Sequence, residues 1–135
     1  MVLIIDTTIR EKIKLRLLNH SDRNICHCED SDVSTEDEAI YNTDDQSKDL
    51  LIMIDEILKD RKVALRDIDA ILVCQGPGSF TGVRVGITTA NILAYSLNIP
   101  IFGYEKEKLS LVLKDIFNSK QKTFSEIVSP MYPEL

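Results

Sequence analysis

The chain is short of the residues that usually announce chemistry. Tryptophan is absent, there are two histidines and three cysteines, and aromatic residues make up 6% of 135 positions. An odd number of cysteines, with Cys74 inside an apolar run expected to be a core strand, argues against a disulfide framework and fits a reducing compartment. His20 stands alone, and no His-x-x-x-His pair exists to hold a metal. Cys26-His27-Cys28 is not a zinc site by itself: strand alternation sends His27 to the face opposite the two cysteines, and no second ligand pair follows. No apolar run approaches the ~20 residues of a membrane span. The opening Met1-Val2-Leu3-Ile4-Ile5-Asp6 has no charged leader region and its apolar run stops at Asp6, so a secretory signal is not expected and the cytoplasm is the expected compartment.

Positive charge is also scarce. Sixteen basic residues face 22 acidic ones, for a net charge of −6. From Glu29 to Asp49, the acids Glu29, Asp30, Asp32, Glu36, Asp37, Glu38, Asp44, Asp45 and Asp49 are answered by Lys48 alone. Such a segment repels phosphates, which argues against primary nucleic-acid binding by this chain. It reads as a solvated acidic loop over 29–46, or as a docking site for a basic partner. There is no internal repeat, and 44% hydrophobic content suits one compact domain.

Glycine totals five, yet four fall within the eleven residues Gly76-Pro77-Gly78-Ser79-Phe80-Thr81-Gly82-Val83-Arg84-Val85-Gly86. Upstream, Ile68-Asp69-Ala70-Ile71-Leu72-Val73-Cys74 reads as a buried strand, and downstream Thr81 to Leu97 reads as a helix, so the glycines occupy a strand-to-helix turn. They serve positive φ or the close approach of another backbone. The turn is not a Walker loop, because Val83 and Arg84 stand where Lys and Ser/Thr are needed. It is not a dinucleotide fingerprint either, since Gly76, Gly78 and Gly82 leave one residue too many in the second interval. What remains is a helix N-terminus capped by Ser79 or Thr81, able to hold an anion but needing none.

Val2 to Ile5 is an unalternated apolar strand, and Lys12-Ile13-Lys14-Leu15-Arg16-Leu17 alternates with Ile13, Leu15 and Leu17 toward the core. Asn19 to Asp22 then make a turn into a third strand around Arg23 to Cys28. A first helix is predicted near Ser47 to Asp60, capped by Asp45 or Ser47 and ending beside Arg61 and Lys62. The second ends at Asn98 with Pro100 beyond, and a third runs from Glu105 or Glu107 to Phe117 with Leu109, Val112, Leu113 and Ile116 inward.

The first two helices are too apolar for a single contact. On the first, Met53, Ile57, Leu50, Ile54, Leu58 and Leu51 cover roughly 160° at 100° per residue. On the second, no charge occurs from Val85 to Leu97: Val83, Ile87, Ala90, Ala94 and Leu97 form one stripe, while Val85, Ile92 and Tyr95 point elsewhere. Either the first and third helices flank the second inside the monomer, or part of this surface is an interface.

The glycine-rich undecapeptide resembles the signature of the TsaB family, the non-catalytic dimerisation subunits of the bacterial tRNA threonylcarbamoyladenosine machinery. Leu3-Ile4-Ile5-Asp6-Thr7-Thr8 is similar to that family's opening strand and Asp-Thr-Ser/Thr turn. Gln46-Ser47 followed by Leu50, Leu51 and Ile54 resembles its His-Ser-x-x-Leu-Leu helix start, with Gln46 in place of the usual His. Ile99-Pro100-Ile101-Phe102-Gly103 resembles the strand after the second helix, so the likeness covers most of residues 2–103, the first of two actin-like lobes. The implied fold is α/β: a single ribonuclease-H-like, actin-like lobe, with a mixed sheet that opens as an antiparallel meander and helices packed on it. Residues 1–117 would form this lobe, and 118–135 a tail left from the second, ending in the family-like Pro130-Met131-Tyr132.

The resemblance implies a scaffold that pairs its first two helices with a TsaD-like transferase, or with a second copy of itself. The expected interface is Leu50, Met53, Ile54 and Ile57 of the first helix with Ile87, Ala90, Asn91 and Ala94 of the second. A TsaE-like ATPase is a further implied partner, and tRNA is reached only through the complex. No catalytic residue, metal or cofactor is expected in this chain. Asp6 stands where nucleotide-hydrolysing relatives hold a metal-bound phosphate, although its local role is to bond the Thr7-Thr8 turn. The competing readings are an autonomous actin-like nucleotide binder or hydrolase that uses the glycine turn and Asp6, and a homodimer that has lost the modification role.

Overall fold

The apolar runs with no alternation become the centre of the sheet. In the computed structural model, which describes residues 1–19, 38–118 and Val128, Val2–Asp6 (β1) and Ala70–Cys74 (β4) pair in parallel. Both faces of these strands are covered, which is why neither shows a polar side. Lys12–Leu18 (β2) pairs antiparallel with β1, Glu38–Asn42 (β3) antiparallel with β2, and Ile101–Tyr104 (β5) parallel with β4. The order across the sheet is β3-β2-β1-β4-β5.

Helices cover the two faces unequally. Gln46–Asp60 (α1) and Phe80–Leu97 (α2) lie side by side on the face that carries Leu3, Ile5, Ile13, Leu15, Leu17, Ile71 and Val73. Leu109–Asn118 (α3) puts Leu113, Leu109 and Val112 on the opposite face, against Val2, Ile4, Ala70, Leu72, Cys74 and Tyr104. The lobe is therefore three layers deep. The idea that the first and third helices flank the second is overturned, because the sheet separates α3 from α2.

Two further expectations are corrected. β3 occupies 38–42, inside the stretch read as an acidic loop over 29–46. Its inward residues Ala39 and Tyr41 meet Leu15 and Ile13 of β2, and this pairing outweighs the acidic neighbourhood. The third strand expected near Arg23 to Cys28 lies outside the described residues, as do the Cys26-His27-Cys28 group, His20 and the Pro130-Met131-Tyr132 ending. α3 starts at Leu109 rather than at Glu105 or Glu107, because residues 105–108 form a turn closed by Lys108 N–H on the Glu105 carbonyl and by their 2.9 Å ion pair.

The helix ends follow local chemistry. Asp45 caps α1 by accepting from the Ser47 N–H at 3.1 Å and from its hydroxyl at 2.6 Å, and the Ser47 bond is the main cause that lowers the Asp45 pKa. Thr43 donates its hydroxyl to Asp49 and accepts from the Asp45 N–H, so two acids of the acidic stretch serve the positive end of this helix. Ser79 caps α2, and Asn98 closes it in the left-handed conformation at φ 54°.

Candidate functional site

The glycine turn is a packing junction. It joins β4 to α2 and lies against the Thr7-Thr8 corner that follows β1. A Cβ on Gly78 would fall 2.5 Å from the Thr8 Cβ and carbonyl oxygen, and one on Gly82 would run into the Thr7 carbonyl. Close backbone approach, the second of the two uses predicted for these glycines, is thus the one that Gly78 and Gly82 fulfil. The Ser79 N–H donates to the Thr8 carbonyl at 2.7 Å, the Gly82 N–H donates to the Ser79 hydroxyl at 3.3 Å, and the Thr7 hydroxyl donates to the Gly82 carbonyl at 2.5 Å. Gly76 is buried, Pro77 follows it through a cis peptide, and Phe80 and Thr81 begin α2 on its exposed side. An anion seated on the Ser79 or Gly82 amide would have to displace the partner that amide already holds.

α1 is tied into the same junction. Gln46 donates through Nε2 toward the carbonyls of Thr7 at 3.2 Å, Ile9 at 3.0 Å and Lys12 at 2.8 Å. One amide thereby fixes the helix start to the turn between β1 and β2. Asp6 accepts from the Thr8 N–H at 2.9 Å and from the Thr8 hydroxyl at 2.6 Å, the local turn role that its position predicts. On the α3 side, Asp6 also borders an open depression lined by Ile4, Lys14, Leu15, Arg16, Tyr104, Lys106 and Leu109. Three cations around one carboxylate make this a place where an anion could enter, a feature that sequence reasoning missed because its residues come from β1, β2, β5, the turn after it and the start of α3. The alternation of β2, which sets half-buried Lys14 and Arg16 on the face opposite Ile13 and Leu15, was the available signal.

Two protonated groups stand at that depression, Tyr104 in its lining and Cys74 paired with it. Burial, with the Asp6 charge second, raises the Cys74 thiol to about 11, and the same causes raise the Tyr104 hydroxyl. The two side chains stand opposite each other in the β4/β5 register and share a hydrogen bond. Neither is poised to ionise near neutral pH.

The residues expected at a helix interface divide sharply. Leu50, Ile54, Ile57, Ile87, Ala90 and Ala94 are interior side chains, each no more than 4% exposed, packed in the chain's own core. Met53 and Asn91 are half-buried. The apolar residues that α1 and α2 leave open are others: Leu51 and Ile52 on α1, and Phe80, Ile92 and Tyr95 on α2, with Tyr95 90% exposed. Phe80 is stacked under the Arg84 guanidinium, 4.0 Å from the ring centre.

Sheet order, parallel β1/β4/β5 pairing and the helix placement define an actin-like, ribonuclease-H-like α/β lobe. Residues 43–106 match the family model described as TsaD, tRNA N6-adenosine threonylcarbamoyltransferase. The tRNA threonylcarbamoyladenosine biosynthesis protein TsaB of Buchnera aphidicola subsp. Schizaphis graminum is 37% identical over 87 residues, 61% of this chain and 40% of that protein. TsaB of Bacillus subtilis is 50% identical over 48 residues, 36% of this chain and 21% of its own length. The structure of YeaZ from Pseudomonas aeruginosa superposes with a TM-score of 0.58 at 27% identity, over 77% of this chain and 43% of that one. The chain is TsaB-like, and it matches no more than about two fifths of the length of these relatives.

Proposed function

We propose that this chain is a non-catalytic scaffold in tRNA threonylcarbamoyladenosine biosynthesis, which binds and activates a TsaD-like transferase through α1 and α2. The observation that carries the reading is the outward side of this helix pair: Ile52, Ile92 and Tyr95 stay in water while the inner sides of both helices are sealed. Covering such side chains contributes about 1.5–3 kcal/mol each when burial is complete. A homologous helix pair on a transferase supplies the matching surface, and a second copy of this chain takes its place when the transferase is missing. The chemistry belongs to the partner. In support of that division, the Ser79 and Gly82 amides of the glycine turn and the carboxylate of Asp6 are already bonded within the lobe.

Co-expression with the host's transferase tests the reading. Pairing should be lost when Ile92→Asp and Tyr95→Asp are combined in a chain that still melts like the parent; undiminished co-purification would reject this surface. A second reading, an autonomous nucleotide binder, draws on the basic depression beside Asp6. Calorimetry with ATP and magnesium decides between them, because tight binding that Lys14→Glu abolishes would replace the scaffold reading.

A further inference from the structure

Asn91 of α2 holds a peptide unit far from it in sequence. Its Nδ2 donates to the Val128 carbonyl at 2.9 Å, and its Oδ1 accepts from the Val128 N–H at 3.1 Å. Turning the amide over would set oxygen against oxygen and N–H against N–H, so the two bonds fix its orientation. This is the pair of bonds that one residue of an antiparallel ladder gives its partner, here supplied by a side chain. The Val128 side chain is 9% exposed and belongs to the core cluster that contains Ala90, Ala94 and Ile101. Backbone recognition by the amide, joined to an apolar seat for one side chain, is how extended segments are bound on a protein surface.

We propose that the flank of α2 at Asn91 is a docking site for a peptide backbone, filled in cis by this chain's own backbone at Val128. The contact straps Val128 onto α2. It also accounts for Asn91, which sits half-buried at the margin of a stripe otherwise made of Ile87, Ala90 and Ala94. The proposal is independent of the scaffold reading, since it concerns a contact within one molecule.

Amide hydrogen exchange on the 135-residue chain tests it. The Val128 amide should exchange at least tenfold more slowly than in a free peptide of residues 122–134, and Asn91→Ala should remove that protection while the β4 amides stay slow. A Val128 amide that exchanges at the free-peptide rate in the parent, or stays equally protected in Asn91→Ala, overturns the strap. If Asn91→Ala does not fold, Val128→Asp in the same 135-residue chain gives the second readout. Its vacated seat should bind the 122–134 peptide in trans, whereas the parent, whose seat is filled, should not. Equal binding to both chains, or none to Val128→Asp, overturns the proposal.

Discussion

Thr7 and Gly82 meet through side chain and backbone together: the Thr7 hydroxyl donates to the Gly82 carbonyl at 2.5 Å, and the Gly82 Cα rests against the Thr7 carbonyl with no room for a Cβ. This contact sets the end of β1 against the first turn of α2. Gly82→Ala pushes a methyl into the Thr7 carbonyl and the Gln46 amide. The expected cost is about 1–3 kcal/mol, the range for overpacking a tight site, read as a lower urea midpoint with an unchanged slope. An alanine variant as stable as the parent would mean that the junction can spread.

Gln46 makes a sharper test, because its amide is a donor to three carbonyls. Gln46→Glu replaces that donor with a carboxylate facing the same oxygens. Their partial negative charge disfavours ionisation and raises the carboxyl pKa in the folded state above its unfolded value of about 4.3. Below that value both states are protonated and the variant is least perturbed; as pH rises through the folded pKa, stability is lost. Urea midpoints of parent and variant should therefore converge near pH 4 and separate by pH 7. Parallel profiles would place the Gln46 bonds outside the stabilising contacts.

The sequence made much of this junction legible, but not its partner. Four crowded glycines between a strand and a helix announce close approach, yet nothing in the local pattern says that the approaching backbone is Thr7-Thr8. The unalternated Val2 to Ile5 run was a signal for cover on both sides of the sheet, which α3 supplies from the opposite face. β3 was hidden because Ala39, Ile40 and Tyr41 sit among acids, and its strand character comes from pairing with β2. Helix periodicity located the apolar stripes of α1 and α2, but the most apolar stripe is the one a fold buries first. The Asn91 contact with Val128 joins residues 37 apart in the chain, beyond the reach of any periodicity.

That division predicts two opposite outcomes on one helix. Ala90→Asp places an unpaired carboxylate where exposure is 0%, which should cost more than about 4 kcal/mol and leave the chain largely unfolded. Ile92→Asp, at a position 60% exposed, should shift stability by less than about 0.5 kcal/mol. Circular dichroism melts of the two variants check the contrast. A folded Ala90→Asp chain would mean that the inner stripe of α2 is open to solvent after all.

Cys74 gives the lobe a pH dependence on the alkaline side. Its thiol is held protonated by burial and, secondarily, by the Asp6 charge, with a folded pKa of about 11 against an ordinary value of 9.0. Between those values the unfolded chain gives up a proton that the folded chain keeps. The unfolded state therefore binds fewer protons, and stability falls as pH rises. The contribution is complete below pH 9 and is lost on the way to pH 11, where the raised Tyr104 hydroxyl adds a slope of the same sign. Cys74→Ala removes the thiol from this balance and should flatten the decline of urea midpoint between pH 8.5 and 10.5, at a modest constant loss from the vacated core volume. A variant whose profile stays parallel to the parent's across that range would show that the thiol ionises alike in both states.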